Sequence, residues 1–357
     1  MRVALDRLAG WLDERWDGPS RLRSFLSKPV PRNVSWLHTL GSLLVFYLLL
    51  QVVTGVLMAL YYSPSPDHAH ASVRYVVEEL SLGSLVYSLH RWGSGFLIVT
   101  AFLHFVRSYF LAAYKKPREL VWITGVLLGL LLTLFTFTGQ LLPYDQRGYW
   151  ATVVGIRIAS GVPVLGNAVH SLLTGGYGDI GAATISRFFI AHVCVLPLLL
   201  VGLLGLHLAL LQKAGSAGPL AGSPEPYRSF SPGQLMKDVL VSGAGAVLLF
   251  LVATFTSIES SGPASPEAGG FLPKPEWYFY SHFEILKLLP ANLQVLGTFV
   301  LPNVLIAGAL LLPFLDRGPE RSFAHRKALN GIGILAVLSI VGLTGIWATR
   351  RAVTEPP

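Results

Sequence analysis

Seven stretches of this chain run for about 20 or more mostly apolar residues, the length an α-helix needs to cross a bilayer core. They lie at 35–62, 85–111, 121–142, 188–211, 239–257, 294–315 and 329–348. In hydrocarbon every backbone N–H and C=O must be satisfied internally, so such a chain can form only helices or a closed barrel. Alternating apolar strands are absent, which leaves helices. The expectation is an all-α polytopic membrane protein with seven transmembrane helices. Only 13% of residues are charged, about half the share of a soluble domain. That excludes an ordinary soluble enzyme and a disordered chain.

Residues 1–33 are polar and carry Asp13, Glu14 and Asp17 among arginines, so they do not read as a cleavable signal. Leu5, Leu8, Trp11, Leu12 and Trp16 share one face, as in an amphipathic helix lying on a membrane surface and its lipids. The net charge of +8 is unevenly spread. With the N-terminus inside, 18 of the 27 Lys and Arg fall on the inner side, the positive-inside pattern. The basic excess is therefore an orientation signal and not a nucleic-acid footprint. It places the N-terminus on the cytoplasmic side, most simply of a bacterial cytoplasmic membrane. The single cysteine, Cys194, permits no intramolecular disulfide and reads as a small packing residue of the fourth span.

Ionisable side chains inside spans are costly and usually functional. The second span holds His90 and His104, and the fourth holds His192 and His207. Fourteen residues at about 100° each fall about 40° short of four turns, and fifteen overshoot by about 60°. Each pair can thus share a face, separated by about 21–22 Å along its helix. The two spans run in the same direction, so His90 is level with His192 and His104 with His207. An isolated histidine in a helix is more often a core hydrogen-bonding group. Two matched pairs at matching depths instead suit two stacked, six-coordinate haem irons. Gly41 and Gly55 in the first span, and Gly125 and Gly139 in the third, repeat the fourteen-residue interval. Glycines there would let backbone approach a flat macrocycle; ordinary helix packing is the alternative, and the recurrence of the interval in three helices favours the macrocycle.

Several motifs carry a resemblance. HRWGSG surrounds His90, LPYDQRGYWA occupies 142–151, RFFIAHVCVLPLL occupies 187–199, LLQKAGSAGPL follows His207, and PEWY stands at 275–278. The chain resembles cytochrome b of quinol-oxidising bc-type complexes, and most of all the b6f form, with its b6 and subunit IV parts joined. The division expected is a surface segment at 1–33, a four-helix dihaem part at 34–220, and a three-helix part at 221–357 carrying the PEWY loop.

The resemblance implies two non-covalent b-type haems on His90, His192 and His104, His207, with quinol as substrate. Glu276 and Tyr278 would act at an outer quinol site lined by Tyr144, Pro275 and Trp277. Lys237 and Asp238 would lie at an inner quinone site, although Asp238 could equally be a helix-start residue. Arg91, Arg107 and Arg187 could pair with haem propionates or reach lipid headgroups. One electron would leave through a Rieske iron–sulfur partner to a c-type cytochrome or equivalent carrier, and the other would cross to the inner side. Protons would be released outside and taken up inside, and a homodimer is expected. Some positions depart from the b6f pattern. Thr39 stands where that form has a haem-attaching cysteine, so no covalently attached third haem is expected. Gln212 and Tyr87 stand where it has arginines, and Tyr144 replaces a tryptophan. Two other readings are a dihaem anchor linking quinone to a dehydrogenase without bifurcation, and a transporter using the histidines as a proton relay.

Overall fold

The computed structural model describes residues 2–31, 34–176, 178–215, 217–218, 227–256, 258, 261–267 and 275–354. The expected division at 220/221 lies outside them. Apart from one short strand pair the fold is helical. Two helices, α1 (Arg2–Trp16) and α2 (Gly18–Leu26), precede the first long helix α3 (Leu40–Ala59). After α4 (Ala69–Glu79) come α5 (Gly83–Phe110) and α6 (Glu119–Gly139). The connection that follows folds into α7 (Gln146–Ala159) and α8 (Gly166–Thr174). Next is one continuous span, Ala182–Ala214, built of α9 (Ala182–Ile190), a π turn at Ala191–Val195 and α10 (Leu196–Ala214). The chain closes with α11 (Gly233–Phe255), α12 (Tyr280–Leu288), α13 (Leu301–Leu315) and α14 (Lys327–Thr354).

Among the described residues six helices are long and apolar enough to cross a membrane, one fewer than the seven expected from sequence. The helix that falls short is α5, which has the length, at 28 residues, but not the hydropathy. Ser84, Ser88, His90, Arg91, Ser94, His104, Arg107 and Ser108 dilute its apolar content. The long helices show bare aliphatic flanks, such as Val201 at 71% exposure and Leu335 at 66%. Such large apolar surfaces need a non-aqueous covering.

Helix α3 packs along α5 and α6 along α10, while these two pairs make few contacts with each other. The bundle is thus two helix pairs with a slot between them. Helix α11 lies against α3 and α5, α13 against α6, and α14 against α12 and α5. Two π turns, Ala191–Val195 and Leu296–Val300, each precede a proline two residues on, Pro197 and Pro302. Proline lacks an N–H and its ring crowds the carbonyl four residues back, and a wider turn relieves both.

On the N-terminal face, β1 (Pro29–Pro31) pairs antiparallel with β2 (Tyr227–Ser229). Lys28 Nζ donates to Gln212 Oε1 at 3.1 Å. A buried clasp stands on the same face. Asp316 accepts from Tyr114 Oη at 2.7 Å and Lys115 Nζ at 2.8 Å, and Arg326 pairs with it at 3.5 Å. Trp122 Nε1 donates to the Ala309 carbonyl and Tyr109 Oη to that of Leu329, both at 2.6 Å. These bonds seat α13 and α14 on the α3–α10 bundle. Cys194 departs from its expected role, since it lies exposed on the π turn and not packed inside.

Burial alone would raise the Asp316 pKa, but hydrogen bonds from Lys115 and Tyr114 and the charge of Arg326 win and hold it below the usual carboxylate range. The stabilisation it gives is complete above that range and is lost as pH falls through the lowered value. Asp316→Ala strands two buried cations, and the expected cost is about 3–5 kcal/mol, measurable as earlier thermal unfolding in detergent near neutral pH. The gap between variant and wild type should close toward acid pH.

Candidate functional site

The four span histidines line the slot between the helix pairs, and each meets a glycine of the neighbouring helix. A methyl group built on Gly55 would stand 3.1 Å from His90 Cε1, and one on Gly139 only 2.6 Å from His192 Cε1. The matching distances are 3.3 Å from Gly125 to His207 and 3.6 Å from Gly41 to His104. At all four glycines the missing side chain leaves room for the edge of an imidazole. The ring edge presented is Cε1–Nδ1, which turns the opposite edge to the interior.

The residue before the glycine completes the seat. Nδ1 of His90 lies 2.9 Å from Thr54 Oγ1, that of His207 2.9 Å from Thr124, and that of His192 3.1 Å from Thr138. Each threonine hydroxyl donates to the carbonyl four residues back in its own helix, at 2.7–2.9 Å. The imidazole is therefore the donor, and this network puts its proton on Nδ1. Nε2 keeps its lone pair, free to bind a metal. Sequence reasoning missed the threonines, although a Thr–Gly dipeptide at 54–55, 124–125 and 138–139 marks them.

The π turn corrects the helical arithmetic. In a straight helix, fifteen residues between His192 and His207 would overshoot by about 60°. A π turn holds an extra residue, so the interval behaves as fourteen. Both rings accordingly meet glycines fourteen residues apart on α6. The His90 and His192 ring centroids are 6.4 Å apart. That leaves room for one ion with metal–imidazole bonds of about 2.0–2.1 Å on each side.

His90, His192, Gly55 and Gly139 line one cavity, whose walls also include Gln51, Tyr87, Arg91, Phe135, Glu276 and Tyr278. Glu276 pairs with Arg91. The Tyr278 phenol meets Thr136, and burial pushes its pKa up. The start of α7 and the turn before it are sewn to residues 261–264: Gln146 N donates to Gly262 O, Arg147 N to Ser261 Oγ and Ala264 N to Tyr144 O. Asp145 caps α7 by accepting from Gly148 N at 2.7 Å. PEWY itself is held against α5 by the pairing of Glu276 with Arg91 and by Trp277 at Gly95.

Other expected site residues are elsewhere. Tyr144 adopts a left-handed φ of 46° and packs edge-on against Tyr149 in a buried cluster, where burial pushes its phenol up to about 12. Trp277 packs on α5 at Gly95; neither it nor Pro275 is part of the cavity wall. Arg187 donates to the Ser171 and Leu172 carbonyls at the end of α8. At the N-terminal face, Lys237 donates to the Val34 carbonyl at 3.2 Å and sits over the Trp36 ring. Asp238 is buried and accepts from Gln234 Nε2 at 3.0 Å.

Two family models match the chain, cytochrome b/b6/petB over residues 25–215 and cytochrome b(C-terminal)/b6/petD over 272–356. The chain belongs to the cytochrome b family. Both parts, separate in the b6f form, stand here in one polypeptide. This cytochrome b is 34% identical to the cytochrome bc complex cytochrome b subunit of Chlorobaculum thiosulfatiphilum, over 94% of this chain and 80% of the relative. It is 39% identical to the menaquinol:cytochrome c reductase cytochrome b subunit of Geobacillus thermodenitrificans, over 60% of this chain and all of the relative. Cytochrome b6 of Gloeobacter violaceus is 38% identical over 60% of this chain and all of its own length. A solved structure, a hyperthermophilic respiratory Complex III, superposes with a TM-score of 0.85 at 28% identity, covering 98% of this chain and 92% of that one. The protein is thus an integral membrane subunit of an oxidoreductase complex, and its family implies haem binding.

The glycine distances predict a graded series for this cytochrome b. Gly139→Ala forces the His192 ring aside and should cost about 1–3 kcal/mol with loss of bound haem. Gly55→Ala and Gly125→Ala should be milder, and Gly41→Ala close to neutral. Haem content per purified chain measures the order.

Proposed function

We propose that this chain is the dihaem cytochrome b of a quinol:cytochrome c oxidoreductase, or of a like complex feeding a plastocyanin-type carrier. His90 with His192 would hold one b-type haem, and His104 with His207 the other, without covalent attachment. The observation that carries the reading is the slot lined by four glycine-backed imidazoles, three of them with the proton fixed on Nδ1. The centroid separation of 6.4 Å between His90 and His192 suits ligation from both sides. When bound, the haems supply one-electron transfer between the two faces. Helix α5 is then the seventh span, and its polar content is what the site requires.

The cavity lined by His90, His192, Glu276 and Tyr278 supports quinol oxidation. Oxidising a quinol releases protons as well as electrons, so a base must stand beside the acceptor. Glu276 is that base, and its partner Arg91 positions it at the cavity wall. The Tyr278 hydroxyl, kept protonated by its raised pKa, can hydrogen-bond a quinol oxygen. Tyr144 and Trp277 act from behind, through the turn that presents Asp145 and through packing on α5. On the other face Asp238 and Lys237 would serve quinone reduction. Arg107, whose Nε is buried without a hydrogen-bond partner among the described residues, would meet a haem propionate.

The basic bias of the N-terminal face puts that face in the cytoplasm. Residues 34–220 and 221–357 then form the dihaem and PEWY-bearing parts. A Rieske iron–sulfur subunit and a c-type cytochrome complete the electron path in a dimeric complex.

Reduced-minus-oxidised spectra of the purified complex should show two b-type haems per chain, and the absence of a b band would sink the reading. His90→Ala and His104→Ala should each remove one haem. Glu276→Gln should keep both and slow quinol oxidation by about 10²–10⁴-fold, the usual worth of a general base.

A further inference from the structure

Three of the four histidines share one arrangement and the fourth breaks it. His90, His192 and His207 each direct Nδ1 at the threonine that precedes the backing glycine. A second acceptor lies one helical turn earlier, the carbonyl of Gln51, Phe135 or Val121. At His104 the residue before Gly41 is Leu40, which has no acceptor to offer. The turn before it is a 3-10 turn, Trp36–Thr39, so the carbonyl ladder is out of step too. Thr39 does not substitute: its hydroxyl donates to the Trp36 carbonyl at 2.6 Å, as the other threonines donate to carbonyls, but no hydrogen bond joins it to His104. His104 Nδ1 is buried and has no hydrogen-bond partner among the described residues.

We propose that the residue preceding each glycine sets the electron-donating strength of the histidine behind it, with Thr54, Thr138 and Thr124 as positioning residues and Leu40 as a deliberate omission. The inference rests on the ligand assignment proposed above. A metal-bound imidazole that donates its other N–H is oriented by that bond and made more basic at the metal. A more basic axial ligand favours ferric over ferrous iron and lowers the potential. The His90–His192 site has two ligands strengthened in this way and the His104–His207 site has one. No new charge is needed for the asymmetry, since one threonine-to-leucine difference at the start of α3 produces it.

Optical redox titration of the two b components in the assembled complex tests the proposal. Thr54→Val and Thr138→Val should raise the same component, and Thr124→Val should raise the other. Leu40→Thr should lower the component that Thr124→Val raises. Each shift should be on the order of tenfold in the reduction equilibrium, about 59 mV for one electron. Thr138→Ser, which restores the hydroxyl, should titrate like wild type. Unchanged potentials in haem-loaded valine variants would overturn the proposal, as would a serine variant shifted as far as its valine counterpart. If a valine variant loses its haem, Leu40→Thr decides alone, and an unshifted potential there is equally fatal. The outcomes for the ligand assignment differ. Thr54→Val and Thr138→Val moving different components would show that His90 and His192 do not share an iron.

Discussion

The structure depends on how closely a helix backbone can approach an imidazole ring. Three of the four rings have Nδ1 paired with a threonine hydroxyl, and in each case that acceptor sits one residue from a glycine that clears the space. The pairing of α3 with α5 and of α6 with α10 follows, because each contact seats a histidine. The slot between the pairs follows in turn, since rings held from behind direct their free edges forward. The remaining helices then pack outside these pairs, where they add apolar bulk without closing the slot.

The four histidines that meet the glycines of α3 and α6 were legible in the sequence because ionisable residues are rare in spans and their intervals repeat. Glu276 and Tyr278 were legible through PEWY, and both reach the cavity. What could not be read was non-local or depended on backbone detail. The pairing of Glu276 with Arg91 joins positions 185 residues apart, and no periodicity reports it. Tyr144 and Trp277 were expected at the site by motif, yet the left-handed turn at Tyr144 and the glycine notch at Gly95 draw them into packing. Neither feature has a pattern of its own along the chain.

Helical arithmetic also had a limit that is instructive. It assumed 3.6 residues per turn throughout, which made the fifteen-residue interval look like a poorer match than the fourteen-residue one. The proline at 197 was visible, but its effect on the turn containing His192 was not. The same π turn leaves Cys194 on the outer surface, where a packed cysteine was expected. By hydropathy six of the described helices count as spans, one fewer than the sequence expectation. A helix that carries two histidines and two arginines is the least hydropathic of the set, although the site is built on it.

The clasp of Tyr114, Lys115, Asp316 and Arg326 bears on how such a molecule could be put together. It joins the two family parts through side chains far apart in sequence, with Trp122 and Tyr109 adding direct bonds to the backbone of α13 and α14. Attachment of α13 and α14 therefore does not depend on the peptide that connects them to the earlier helices. Two separately translated chains carrying the same side chains could find one another by this lock and reach the same fold. Fusion or fission of the polypeptide is then a change of gene structure that leaves the interface intact.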